Sequence, residues 1–410
     1  MRRTALAAVA ASALLAASGL PAHAVPSPAG SDAASGSYIV VLDDSATAKS
    51  IASLHGQRFG VDVGHVYSSA LQGYSARMTP SAAGLVAHAP GVASVQQDTP
   101  VSTTAQSQPT GINRSDADLS PTANINGADD RVNVDVAVID TGVDLTHPDL
   151  NVNRAGAKNC SLGLSANDGH GHGTHVAGTI GALDNAAGVV GMAPGARIWP
   201  VKVLTDLGTG LNSDVICGID YVTQHADEIE VANMSLGGAG EDDGNCGNTN
   251  DDALHQAVCA SVAAGITYAV AAGNDSADAA GSTPAAYDEV ITVSALADFN
   301  GQPGGGAAST CRADEDDTFA SFSNYGADVD IIAPGVCIES TWMRGGYNTI
   351  SGTSMASPHV AGGAALYKAN NPGASPAQVK SALQASGTTD WSNADDGDNT
   401  KERLLNASAY

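Results

Sequence analysis

Apolar positions along the chain fall into two alternating kinds of run. Short β-branched runs at 132–139, 198–204, 230–236, 266–271 and 290–294 read as strands, and small-residue stretches at 175–183, 213–223 and 254–264 read as helices between them. The strand runs are continuously apolar rather than alternating, the pattern of a parallel sheet covered by helices on both faces. In such sheets reactive side chains gather beyond the carboxyl ends of the strands, where Asp140 and Asn274 both fall. A further apolar run, 360–367, carries little side-chain bulk and predicts a helix packed inside the domain.

The first hundred residues follow another rhythm. A strand at 38–42, a helical stretch at 46–59, two strands and a turn within 67–78, a second helix at 81–88 and a strand at 92–98 make a βαββαβ order. Residues 37–101 are therefore expected to fold as a small α+β unit. Residues 1–24 have a charged start, a short apolar core and an Ala22-His23-Ala24 end, the layout of a secretory signal peptide. Nothing later approaches the roughly 18 continuous apolar residues of a membrane span. An exported chain with no membrane partner after signal removal is expected. The stretch 102–108, rich in Ser, Thr and Gln, has the composition of a cleavable linker. The chain thus divides into 1–24, 25–104 and 105–410.

Charge separates the last two segments. Residues 105–410 carry 12 Lys/Arg against 38 Asp/Glu, so the whole formal charge of −26 resides there, with all six cysteines. That surface excludes nucleic acid as a partner and favours solubility, and some of its carboxylates are candidates for holding cations. Acidic runs at 241–243 and 314–317 read as solvated loops.

Three short contexts carry the candidate chemistry. Ser354, in Gly352-Thr353-Ser354-Met355-Ala356-Ser357-Pro358-His359, lies where the last small-residue helix begins. Free backbone N–H groups and the helix dipole favour negative charge there. A lone serine at such a place is ordinarily a helix cap; a His and an Asp at other element ends change that reading. Asp140-Thr141-Gly142 ends the 132–139 strand, and His172 lies in Gly169-His170-Gly171-His172-Gly173-Thr174-His175 ahead of a helix. His172 and His175 lack the H-E-x-x-H arrangement of a metal pair, so His170 and His175 are expected to pack or hydrogen-bond. Asp, His and Ser so placed can build an activated nucleophile. Ser354 attacks a carbonyl, His172 takes and returns the proton, and Asp140 orients the imidazole. Asn274 ends another strand and can donate its amide to an oxyanion.

In that order, D-T-G, H-G-T-H-V-A-G-T and G-T-S-M-A-S-P-H resemble the motifs of the subtilisin-like serine endopeptidases, over nearly all of 105–410. The resemblance implies a subtilisin-like three-layer α/β fold, with a mainly parallel sheet between helices. It gives Asp140, His172 and Ser354 the roles of a triad and Asn274 that of oxyanion donor. It also implies that residues 25–104 are an inhibitor-type propeptide with a ferredoxin-like α+β core, an intramolecular inhibitor removed on maturation. Leu207-Gly208-Thr209-Gly210 and Ser235-Leu236-Gly237-Gly238 resemble the family's two edge segments that pair with an extended polypeptide substrate, with Ala271, Ala272 and Gly273 beside them. On their own, both Gly-containing stretches read as turns. A secreted, monomeric serine endopeptidase is the function implied. The alternatives are an inactive peptide-binding homologue, opposed by the full set of candidate residues, and a surface adhesive protein.

The resemblance extends to calcium-binding members. Asp149 and Asn185 would supply side-chain oxygens, Leu183, Ala187 and Val189 main-chain carbonyls, and Gln106 a further ligand; an all-oxygen set suits Ca²⁺. A second site is expected at Asp330 with the carbonyls of Asp288 and Val290. Six cysteines in an exported chain without any C-x-x-C point to disulfides rather than zinc or redox chemistry. Fifteen pairings are open, and buried free thiols remain an alternative. Pairing in sequence order, Cys160–Cys217, Cys246–Cys259 and Cys311–Cys337, is expected. The second bridge would pin a Gly-rich loop to a helix, the third would tether a loop poor in apolar residues, and the first is what these two leave over.

Overall fold

The computed structural model describes residues 36–43, 47–98 and 105–410. The expected signal segment 1–24 and the maturation junction near Thr104 lie outside the described residues. The chain forms two compact units divided between Thr103 and Thr104.

In the first unit β1 (Gly36–Leu42), α1 (Ala48–Phe59), β2 (Asp62–Tyr67), β3 (Gly73–Met78), α2 (Pro80–Ala87) and β4 (Val92–Gln97) follow the βαββαβ order. The strands pair antiparallel in the order β2-β3-β1-β4. Alternate residues Tyr74, Ala76 and Met78 of β3 join Val40 and Leu42 of β1 in a core with Ala52 of α1 and Val86 of α2. The stretch 67–78 holds β3 but only the last residue of β2. That strand runs back to Asp62 through mostly exposed positions, so no apolar alternation announces it.

The second unit begins with the short α3 (Thr110–Arg114), then β5 (Asp135–Asp140), β6 (Lys158–Asn159), α4 (His172–Gly181), β7 (Arg197–Lys202) and α5 (Asn212–Gln224). Next come β8 (Val231–Met234), β9 (Gly238–Ala239), α6 (Ala253–Ala263), β10 (Thr267–Ala271), β11 (Ser282–Thr283) and β12 (Ile291–Ala297). The chain continues through β13 (Thr318–Phe319), β14 (Ile331–Pro334), the hairpin β15 (Ile338–Trp342) and β16 (Gly346–Ile350), α7 (Thr353–Asn370) and α8 (Pro376–Ser386). The main sheet has the order β13-β12-β10-β8-β5-β7-β6, with β14 also on β12. Every pair in it is parallel except β12 with β13.

Both faces of this sheet are covered, which is why its strands read as unbroken apolar runs. Val136 and Val138 of β5 pack in one layer with Val176 and Ile180 of α4 and Val360 of α7. Ala137 and Ile139, pointing the other way, pack with Ile219 of α5 and Val258 of α6. The small residues of α7 allow close approach: a side chain at Gly362 would run into Met192. The sequence reading omitted β14 and the hairpin. β14 is four residues long and ends on Pro334, while β16 alternates half-buried and exposed positions, with polar Asn348 and Thr349 side by side and none fully buried. Three disulfides join Cys160 to Cys217, Cys246 to Cys259 and Cys311 to Cys337, with Cα separations of 5.9, 5.9 and 5.8 Å.

Candidate active site

Asp140 is the last residue of β5 and is wholly buried, and His172 is the first of α4. The His172 Nδ1 lies 2.8 and 2.9 Å from the two carboxylate oxygens of Asp140. A second buried carboxylate, Asp168, shapes the turn that presents the imidazole. Its Oδ1 accepts from Thr141 Oγ1, His170 N and Gly171 N, and its Oδ2 from Thr174 N and Oγ1. Gly171 takes a φ of 106°, and the Trp342 ring fills the space a Cβ would need. Burial works against a charged His172. The Asp140 charge and hydrogen bond outweigh it, helped by Asp168, so the imidazole is held above its usual range. Asp168 was not singled out from sequence, because an Asp-Gly pair in a Gly-rich stretch reads as an ordinary turn.

Ser354 is the second residue of α7. Its Oγ donates to the carbonyl of Ser235 at 3.4 Å, and among the described residues no hydrogen bond joins it to His172. Ser235 Oγ in turn donates to the Ser354 carbonyl at 2.8 Å. Behind this exchange lies a buried polar chain. Ser357 Oγ donates to Asn233 Oδ1, and Asn233 Nδ2 donates to Ser235 Oγ.

Asn274 follows β10 by three residues, and its orientation is set from one side. Its Oδ1 accepts from Thr353 N at 2.8 Å and from Thr353 Oγ1 at 3.1 Å. With the oxygen so engaged, the amide NH₂ is the end left for a ligand. Asn324 braces the same loop by accepting from Asp275 N and Ala277 N and donating to Ala272 O. Neither Thr353 nor Asn324 was named from sequence; Thr353 beside Ser354 carried the only signal.

Two adjoining depressions meet along Leu236, Gly237 and Gly238. One brings this segment together with Ala271, Ala272, Gly273, Asn274 and Ser354. The other adds His172, Ser235 and Leu207, Gly208, Thr209 and Gly210 on the opposite side. Leu207 and Gly208 form a tight turn, with Gly208 N donating to Thr205 O, and Leu207 is 85% exposed. His175 is buried with Nε2 against Ile338 O, and burial pushes its pKa down to about 3.

Around Asp149, the expected calcium ligands Gln106, Leu183, Asn185 and Val189 meet. Asp149 is buried, its carboxylate accepts from Asn185 Nδ2 and Val189 N, and Gln106 Nε2 lies 2.7 Å from Leu183 O and 3.2 Å from Val189 O. Turning the Asn185 or Gln106 amide by half a turn presents its oxygen to the same place. The donor set of one carboxylate, two amides and main-chain carbonyls fits Ca²⁺. At the second expected site an ammonium faces the three oxygens. Lys380 Nζ sits 2.7 Å from Asp330 Oδ2, 2.8 Å from Val290 O and 3.2 Å from Asp288 O. An ammonium thus already satisfies the three oxygens assigned to calcium.

Residues 131–404 match the subtilase family, Peptidase S8, and residues 37–104 match the peptidase inhibitor I9 family. Subtilisin DY of Bacillus licheniformis is 40% identical over 288 residues, covering 69% of this chain and 93% of that protein. Subtilisin E of Bacillus subtilis (strain 168) is 40% identical over 302 residues, 73% of this chain and 71% of that protein. A solved cold-adapted subtilisin-like serine proteinase superposes with a TM-score of 0.54 at 34% identity, covering 73% of this chain and 97% of that one. The chain therefore belongs to the subtilase family and is a serine endopeptidase preceded by an I9-type inhibitor domain.

Proposed function

We propose that Asp140, His172 and Ser354 are the catalytic triad and that peptide bonds are cleaved through an acyl-enzyme on Ser354. The observation that carries this reading is the Asp140–His172 contact at 2.8 Å. It places the proton on Nδ1 and leaves Nε2 as the base. Rotation about the Ser354 Cα–Cβ bond takes Oγ off the Ser235 carbonyl toward that base; such bonds are often loose before substrate binds. As Oγ attacks, the carbonyl oxygen becomes an oxyanion, met by the Asn274 amide and the Ser354 N–H, since Thr353 N and Met355 N at the start of α7 are already engaged. His172 then passes its proton to the leaving amine, and water attacks the ester in the second half-reaction. An extended substrate lies along Leu207–Gly210 on one side and Ser235–Gly238 on the other.

The I9-type unit would act as an intramolecular inhibitor until the chain cuts itself near Thr104, releasing an exported, monomeric enzyme of about residues 105–410. Gln106, Asp149, Leu183, Asn185, Ala187 and Val189 would hold a structural Ca²⁺, which locks the 183–189 loop and takes no part in the chemistry. Purified Ser354→Ala chain tests the self-cleavage. It should persist uncut, and maturation in the absence of other peptidases would overturn the reading.

A further inference from the structure

The segment around Trp391 and Glu402 gathers three carboxylates, and among the described residues no basic side chain pairs with them. Asp396, Asp398 and Glu402 each place a carboxylate oxygen within 4.8 Å of the others. Asp396 and Glu402 are 5% and 6% exposed, and Oδ2 of Asp396 and both carboxylate oxygens of Glu402 have no hydrogen-bond partner. The neighbouring basic side chains face elsewhere: Lys401 Nζ lies over the Trp391 ring, and Arg403 Nη1 donates to Gly387 O. Buried carboxylates without partners are strongly destabilising, so the centre needs a counter-charge from outside the chain.

The chemistry of the donors selects which. All are hard carboxylate oxygens, with no nitrogen or sulfur, the preference of calcium rather than zinc. Oxygens on opposite sides of a Ca²⁺ at about 2.4 Å stand about 4.8 Å apart, so one ion can reach all three. Packing already fixes the backbone that presents them. Gly397 lies so close to the Tyr325 ring that a side chain there would collide with it. Trp391 Nε1 donates to Glu402 O at 3.1 Å, and Trp391 and Leu404 share a buried cluster with Phe319 and Ile332. We propose that Asp396, Asp398 and Glu402 form a calcium site, separate from the one at Asp149, that fastens the 391–404 segment onto the sheet.

Calcium stoichiometry by equilibrium dialysis, with melting curves in calcium and in chelator, tests the site on the mature enzyme. Glu402→Gln and the exposed Asp398→Asn should each bind one Ca²⁺ fewer per chain than the parent, while Asp149→Ala should keep this ion. In chelator Glu402→Gln should melt at or above the parent, because it lacks the buried charge; in calcium it should melt below. A full calcium count in either folded variant, or a Glu402→Gln enzyme more stable than the parent in calcium as well, would overturn the proposal.

Discussion

Ser235 Oγ donates a 2.8 Å hydrogen bond to the main-chain carbonyl of Ser354. A helix carbonyl there ordinarily receives the N–H four residues on, and that residue is Pro358, which has none. Ser235 therefore supplies from the substrate-binding edge the donor that the helix lacks. The same residue holds both the peptide of the nucleophile and the Asn233–Ser357 chain. Ser235→Ala should leave a buried carbonyl unpaired, at a cost of about 1–3 kcal/mol. If about 1.4 kcal/mol of that is expressed in the position of Ser354, kcat falls about tenfold with KM nearly unchanged. Steady-state kinetics check this, and Ser235→Thr, which keeps the hydroxyl, should recover most of the loss.

Asn274 should act on kcat alone. Its oxygen is committed to Thr353 and its amide faces the groove, so Asn274→Ala should lower kcat by about 10²–10³, the size already known for an oxyanion donor in a subtilisin. KM should hardly move. Thr353→Val, which removes the hydroxyl bond to Asn274 Oδ1 and the acceptor of Gly273 N while keeping the Thr353 N bond to Asn274, should give a smaller fall of the same kind.

The acid limb of kcat/KM should report His172. Catalysis needs the neutral imidazole, and Asp140 holds the group above the ordinary histidine value of about 6.5. Activity should accordingly fall as pH drops through a midpoint above 6.5. In Asp140→Asn the attraction is gone and burial remains, so the midpoint should move to lower pH while kcat drops by about 10⁴. A pH profile of each enzyme decides it.

Calcium removal should destabilise the mature enzyme through the Asp149 loop. A ligand at a hundred times its Kd adds about 2.7 kcal/mol to the folded state. In a Glu402→Gln background, which isolates this loop, chelator should lower Tm and Asp149→Ala should abolish the response. Lys380→Met should not add calcium dependence at Asp330 if the ammonium merely fills a place no metal needs.

The three-layer fold was legible because β5 and its neighbours are buried on both faces, and the layout of the first unit because its core-facing residues alternate. β2 was not, since its mostly exposed residues look like loop, nor was the β15–β16 hairpin, where β15 buries the polar Ser340 and Thr341 and β16 has no fully buried residue. At the site, Asp140, His172, Ser354 and Asn274 stand in distinctive motifs. Thr353 and Asn324 act through partners some 50 to 80 residues away in sequence, which no local pattern marks, and the backbone bonds of Asp168 to His170, Gly171 and Thr174 look like those of any turn. Lys380 at Asp330 went unmarked for the same reason: it reaches that carboxylate from α8, 50 residues further along the chain.

Fluorophosphonate labelling of the mature enzyme followed by peptide mapping tests the nucleophile most directly. One adduct per chain is expected, on Ser354 Oγ, with labelling slowed severely in His172→Ala. An unlabelled folded enzyme, or an adduct on any other residue, would contradict it.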